Sequence, residues 1–196
     1  MSRLILAMQT SIDGFVDSSV PGAAWQQWNW GPDWPWSADL RASFNQLLAG
    51  AAGLLLSRPM ADDGYLAHWA RTAEQHPGDP DWEFARTIGS LPVLVASRAG
   101  RPERDWPRTT VLNGELPDLV ARAKAAVDGD LVCFGGAGLA SGLLRADLPD
   151  ELRLFTNPGF AGTGRTVFGP WLATRTYRAA SATAHACGVV ETRWTR

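Results

Sequence analysis

A chain of 196 residues, 45% of them hydrophobic, can bury one substantial core without disulfides or a structural metal, and a single domain over 1–196 is expected. The formal net charge is -2 and the lysines and arginines are scattered, which argues against nucleic acid or an anionic membrane surface as a partner. Cys133 and Cys187 stand far apart in neither disulfide nor metal-ligand spacing, and no apolar run approaches a membrane span or a signal-peptide core, so a metal-free cytoplasmic protein is expected.

In chain order, RLILAMQTS is an aliphatic run stopped by the turn pair Asp13-Gly14, which predicts a first strand ending near Gln9. WQQWNWGPDWPW follows, with Trp25, Trp28, Trp30, Trp34 and Trp36 on a stretch broken by Gly31, Pro32 and Pro35, hence a loop rich in aromatic rings. From Ser37 to Leu48 the positions Leu40, Phe44, Leu47 and Leu48 recur at helical spacing, with Ser37 or Asp39 as N-cap, and feed a buried strand, GLLLS. Residues 61–81 read as a polar excursion around one short helix continuing into WEFARTIG. LPVLVASR and TTVLN read as strands, ELPDLVARAKAAV as an amphipathic helix, DLVCF as a strand, GLASGLLRA as a helix and ELRLFTNP as a strand. Strands alternating with helices predict an α/β fold with a mostly parallel central sheet and helices on both faces. RTYRAASATAH and GVVETRWT have no helix between them and predict a C-terminal antiparallel hairpin.

CFGGAGLASGL, at 133–143, nearly matches the dinucleotide fingerprint G-x-G-x-x-G, with Ser141 in place of the last glycine. Glycines between a strand and a helix let backbone approach phosphate, and they also suit any tight corner; both readings stand. Arg58 and Arg98 each follow a buried strand, which places two guanidinium groups at one sheet edge, either for phosphate or simply solvated.

The ordered runs LILAMQTSIDGFV, LLLSR, VLVASR, VCFGGAGLASGLL, DLPDELRLFTNPGFAGTGRTVF and GVVETRW resemble bacterial proteins with a dihydrofolate reductase-like fold, similar to the C-terminal reductase domain of riboflavin biosynthesis proteins. The resemblance implies NADPH as cofactor and a double glycine with a cis peptide under the pyrophosphate. Gly135, Gly136, Ala137, Gly138, Leu139 and Ala140 would line that pyrophosphate, with Arg58, Ser97 and Arg98 near the 2'-phosphate and Ser57 in the same coenzyme site. Two departures stand out. SRPM replaces the family's glycine-arginine-x-threonine run, so Pro59 lacks an N–H and Met60 a hydroxyl, and Phe134 stands where riboflavin-pathway reductases carry a glutamate.

In dihydrofolate reductases an acid on the first helix grips the pterin's amino edge, and PWSADLRASF resembles the run that bears it, out of step by one residue. Asp39 would be the catalytic acid and Phe44 a ring on the substrate; alternatively Asp39 is a helix-terminal carboxylate favoured by the dipole. Met8 and Gln9 fall where the nicotinamide would sit, and Trp30, Trp34 and Trp36 are candidates for a flat-walled pocket rim. Asp13 reads as a turn former, and His68, His76 and His185 as solvated or structural. The expectation is an NADPH-dependent reductase of a flat pterin-like or pyrimidine-like heterocycle, with a homodimer as the oligomer that related domains suggest. The alternatives are a binding protein of the same fold without turnover and a flavin-type or deazaflavin cofactor in the same cleft.

Overall fold

The structure, a computed structural model, describes residues 2–23, 25, 35–98 and 106–196. Its centre is strand β1 (Leu4–Thr10), the aliphatic run that opens the sequence. Helix α1 (Ala38–Ala49) leads into β2 (Ala51–Ser57), and three helices follow, α2 (Arg58–Asp62), α3 (Tyr65–Gln75) and α4 (Glu83–Ser90), with a 3-10 turn at Pro80–Trp82. Then come β3 (Val93–Ala96), β4 (Thr109–Leu112), α5 (Leu116–Ala125), β5 (Asp130–Gly135), α6 (Ala137–Arg145), β6 (Glu151–Thr156), β7 (Arg178–Ala184) and β8 (Val190–Thr195). The eight strands run in the order β4-β3-β2-β5-β1-β6-β8-β7. The first six are parallel to one another and the last two form the antiparallel hairpin on β6.

The parallel strands are covered on both faces, which is why they read as continuous apolar runs rather than alternations. Ile5, Ala7, Leu54, Leu56 and Val132 pack under α1, α3 and α4, whereas Leu4, Leu6, Met8, Leu55 and Cys133 pack under α5 and α6. Burial pushes the Cys133 thiol up to about 12, so it behaves as an inert core residue. The excursion read as one short helix is in fact two helices and a turn ahead of α4. Tyr65, Leu66 and Trp69 lie on the buried side of α3 and anchor a segment whose remaining residues are polar or alanine. In the hairpin, the connection at 185–189 is closed by the Gly188 N–H donating to His185 O at 2.8 Å. All seven residues of the outer strand β7 are exposed. No helix among the described residues is long and apolar enough to cross a membrane.

Candidate active site

The glycine corner ends β5, whose neighbour β2 ends beside it with Leu56 opposite Gly135, and β3 ends beside β2 with Ala96 opposite Ser57. Three parallel strands therefore bring Gly135-Gly136, Ser57-Arg58 and Ser97-Arg98 to one carboxyl edge, the side on which open parallel sheets take ligands. No cis peptide occurs among the described residues, contrary to what the family resemblance implied; the corner turns instead through positive φ at Gly135 (94°) and Gly136 (39°). Both positions are also closed to a side chain. A Cβ on Gly135 would lie 2.7 Å from Met8 Sδ, and one on Gly136 would lie 2.6 Å from Ser57 Oγ. Packing of the protein itself thus demands these two glycines.

Gly138 is different. It is exposed, and a Cβ there would meet nothing within 4 Å. Gly136 stands at the N-cap of α6 without any side-chain cap, so the first-turn N–H groups of Ala137, Gly138 and Leu139 have no side-chain acceptor from the cap, whereas Ser57 Oγ caps α2 by accepting from the Met60 N–H. Uncapped amides at the positive end of a helix dipole beside an open glycine fit a phosphate group. Ala140, by contrast, is fully buried in the core under α6, and Gly135 is buried as well. The departure SRPM has a structural consequence: Pro59 stands in the first turn of α2, and Arg58 is drawn toward Asp62 at 3.4 Å. Ser97 is buried and Arg98 exposed.

Beside the corner opens a cleft of about 210 Å³, reached from the ends of β1, β5 and β6. Its floor is Ala7, Met8 and Gln9, and Gly136 and Ala137 form the side nearest the glycine corner. The opposite wall is aromatic: Trp36 stacks on Phe155 with centroids 6.0 Å apart, and Phe44 meets the Trp36 ring edge-on at 5.3 Å. Phe134, Tyr65 and Met60 continue that wall. Phe134 therefore replaces a charge at this point with a ring against Phe44, 5.4 Å between centroids. The cleft mouth carries Arg165, which is ion-paired to Asp17. Asp13 does more than turn the chain, since its carboxylate accepts from the Ala161 and Gly162 N–H groups at 3.0 and 2.9 Å and ties the loop after β1 to the segment carrying Arg165.

Met8, Gln9, Phe44 and Trp36 are thus brought together in the cleft, while Trp30 and Trp34 lie outside the described residues. Asp39 does not line it. Its carboxylate binds His185 Nδ1 at 3.0 Å and the Ala186 N–H at 3.2 Å, fastening α1 to the hairpin connection, so the helix-terminal reading describes its surroundings better than the catalytic one. A hydrogen bond from Ser37, with help from Ala186 and His185, lowers its pKa from 3.8 to about 2. Because the folded value lies below the unfolded one, the stabilisation is complete above pH 3.8 and fades as pH falls toward 2. The melting temperature of wild-type protein is expected to drop over that window more steeply than that of Asp39→Asn, as followed by circular dichroism.

Tyr65, Phe155 and Arg165 belong to the cleft without having been singled out from sequence, and Met60, noted there only as a departure from the family run, lines it too. Burial raises the pKa of the Tyr65 hydroxyl well above its ordinary value, so it stays a neutral hydroxyl rather than a base. No acidic side chain is among the described residues that line the cleft. The arrangement suits binding and orienting a flat ring and excluding water, with little equipment for proton transfer.

The comparisons with known proteins agree with this fold. A solved structure from Shewanella sp. PV-4, provisionally named a riboflavin biosynthesis protein, is similar at a TM-score of 0.69 and 19% identity, covering 99% of this chain and 98% of that one. A diaminohydroxyphosphoribosylaminopyrimidine deaminase/5-amino-6-(5-phosphoribosylamino)uracil reductase from Thermotoga maritima gives 0.67 at 14% identity over 99% of this chain, which spans only 56% of that protein. Dihydrofolate reductase from Enterococcus faecalis, complexed with NADP(H), gives 0.56 at 12% identity, covering 99% and 96%. No curated protein matches the chain in sequence. The family model of the RibD C-terminal domain, however, runs over residues 2–190, and by that match the chain belongs to this family of reductase domains on a dihydrofolate reductase-like sheet.

Proposed function

We propose that the protein is an NADPH-dependent reductase that delivers hydride to a flat heterocycle. The observation that carries this reading is the open, uncapped first turn of α6 at Gly138, set directly beside an aromatic-walled cleft at the carboxyl ends of parallel strands. In this reading the amides of Ala137, Gly138 and Leu139 hold the pyrophosphate, and Arg58 and Arg98 hold the 2'-phosphate. The floor at Met8 and Gln9 and the wall at Trp36, Phe44 and Phe155 flank the reacting rings and keep water out. Bound NADPH supplies the hydride, so the chain needs to orient an acceptor rather than activate one, and the proton comes from water. The lack of an acidic group along the described cleft is compatible with that division of labour.

Titration of purified protein with NADPH, followed by nicotinamide fluorescence, tests the reading: saturable binding supports it, and no binding at high micromolar coenzyme ends it. The double variant Arg58→Ala/Arg98→Ala is expected to lose about tenfold or more in NADPH affinity and little in NADH affinity, since only NADPH carries the additional phosphate. Equal losses for the two coenzymes would remove both arginines from the site.

A further inference from the structure

The polar edge of the cleft has a fixed direction. Asn157, at the end of β6, is fully buried, and its Nδ2 faces two backbone acceptors, Thr10 O and Phe155 O, each at 3.3 Å. Rotating that amide by half a turn would set its oxygen against two carbonyl oxygens, so the backbone decides which end is nitrogen. The same Nδ2 lies 3.2 Å from Gln9 Oε1. Gln9 must therefore turn its oxygen toward Asn157, which leaves its Nε2 and both hydrogens for the cleft it lines. No acceptor among the described residues takes up those hydrogens. Arg165, at the cleft mouth, is a donor as well, and none of the described lining residues is a carboxylate.

We infer that Gln9, locked by Asn157 as a positioning residue, is a specificity determinant that selects an acceptor ring turning a carbonyl oxygen to it and disfavours a ring that presents an amino edge. This rests on the reading of the cleft as a reductase's ring site. An amino edge facing the Gln9 Nε2 sets donor against donor and leaves both unsatisfied in a cleft walled by rings.

A matched pair of probes decides it: lumazine, the dioxo pteridine, and the corresponding diamino pteridine, in which amino groups replace both carbonyls on the same ring. Equilibrium titration of the full chain, read by pteridine fluorescence, is expected to show lumazine binding about tenfold or more tighter. Gln9→Glu keeps the oxygen that Asn157 bonds and replaces the Nε2 donor with an acceptor, so the preference should reverse. Asn157→Ala releases the Gln9 amide to turn either way and should bring the ratio toward one, and Gln9→Glu carries the case if that variant does not fold. Equal affinities in wild type, a preference for the diamino ring, no saturable binding of either ring, or an unchanged ratio in Gln9→Glu would each overturn the assignment. Loss of lumazine binding on addition of NADP+ would also overturn it, since Gln9 would then serve the coenzyme's own carboxamide. NADPH titration of the same samples separates the two readings. Coenzyme binding without ring discrimination overturns the role of Gln9 alone, whereas discrimination without coenzyme binding overturns the reductase reading and not the donor.

Discussion

Gly136→Val is expected to destabilise the protein by about 3 kcal/mol or more and to abolish NADPH binding with it. The backbone there has φ 39° and ψ 140°, which a β-branched residue adopts only under strain, and a Cβ would stand 2.6 Å from Ser57 Oγ. Ser57 cannot yield freely, because the same oxygen caps α2 through the Met60 N–H. The strain, the clash and the damaged cap all fall on one side, so chemical denaturation should show a large drop in midpoint with little change in slope. Gly138→Ala separates the corner from the cradle. Its Cβ would enter open space on a helical residue, so stability should hold or rise slightly, whereas NADPH affinity should fall about tenfold if phosphate lies against bare backbone at that point. Unchanged coenzyme affinity in Gly138→Ala would mean that the corner is a packing device and nothing more.

That distinction could not be read from GGAG alone, since the letters are the same for a glycine excluded by a neighbour and one facing solvent. The strands were legible because a parallel sheet covered on both faces leaves its mark as an uninterrupted apolar run, as in LILAM, GLLLS and DLVCF. The division of the 61–81 excursion into separate helices and a turn was not, because Tyr65, Leu66 and Trp69 are few enough to be hidden among polar and alanine neighbours. The cleft's chemistry was harder still. Asn157 reaches Gln9 across 148 positions, and Asp39 reaches His185 across 146, so no local spacing reports either pair; only the placing of β6 beside β1 and of the hairpin beside β6 brings them together. Resemblance supplied Asp39 as an acid by matching a motif, but a one-residue offset on a helix rotates a side chain by about 100°, enough to take a carboxylate from a cleft to a hairpin. One signal was present and unused: the runs ELR and ETR both carry Glu-x-Arg, the spacing that puts two side chains on the same face of a strand.

Those runs meet in the structure, and Glu151→Ala is expected to cost about 3–5 kcal/mol. On the face of β6 and β8 toward α1, Arg153 stands directly opposite Arg193, a like-charged pair that is unfavourable by itself. Glu151 offsets it. Its buried carboxylate takes both Nε and Nη2 of Arg193 at 3.0 Å, with Arg3 at 3.3 Å and Arg153 at 3.6 Å. Glu191 balances the other end, 3.4 Å from Arg153, 3.1 Å from His185 Nε2 and 2.5 Å from Ser43 Oγ on α1. Burial lowers the pKa of the Arg153 guanidinium, and the two glutamates oppose that effect, so removing Glu151 leaves a desolvated cation facing another with half its compensation gone. Arg193→Ala should cost much less, since Arg193 is about one-third exposed (35%) and its removal relieves the opposed pair. Replacing Glu151 and Arg153 together by Met should cost less than the sum of the single Ala substitutions, because no charge is then left buried alone. Urea denaturation of Glu151→Ala, Arg153→Ala, Arg193→Ala and the double Met variant measures each quantity, and additive losses would show that the network is a set of independent pairs rather than one buried unit.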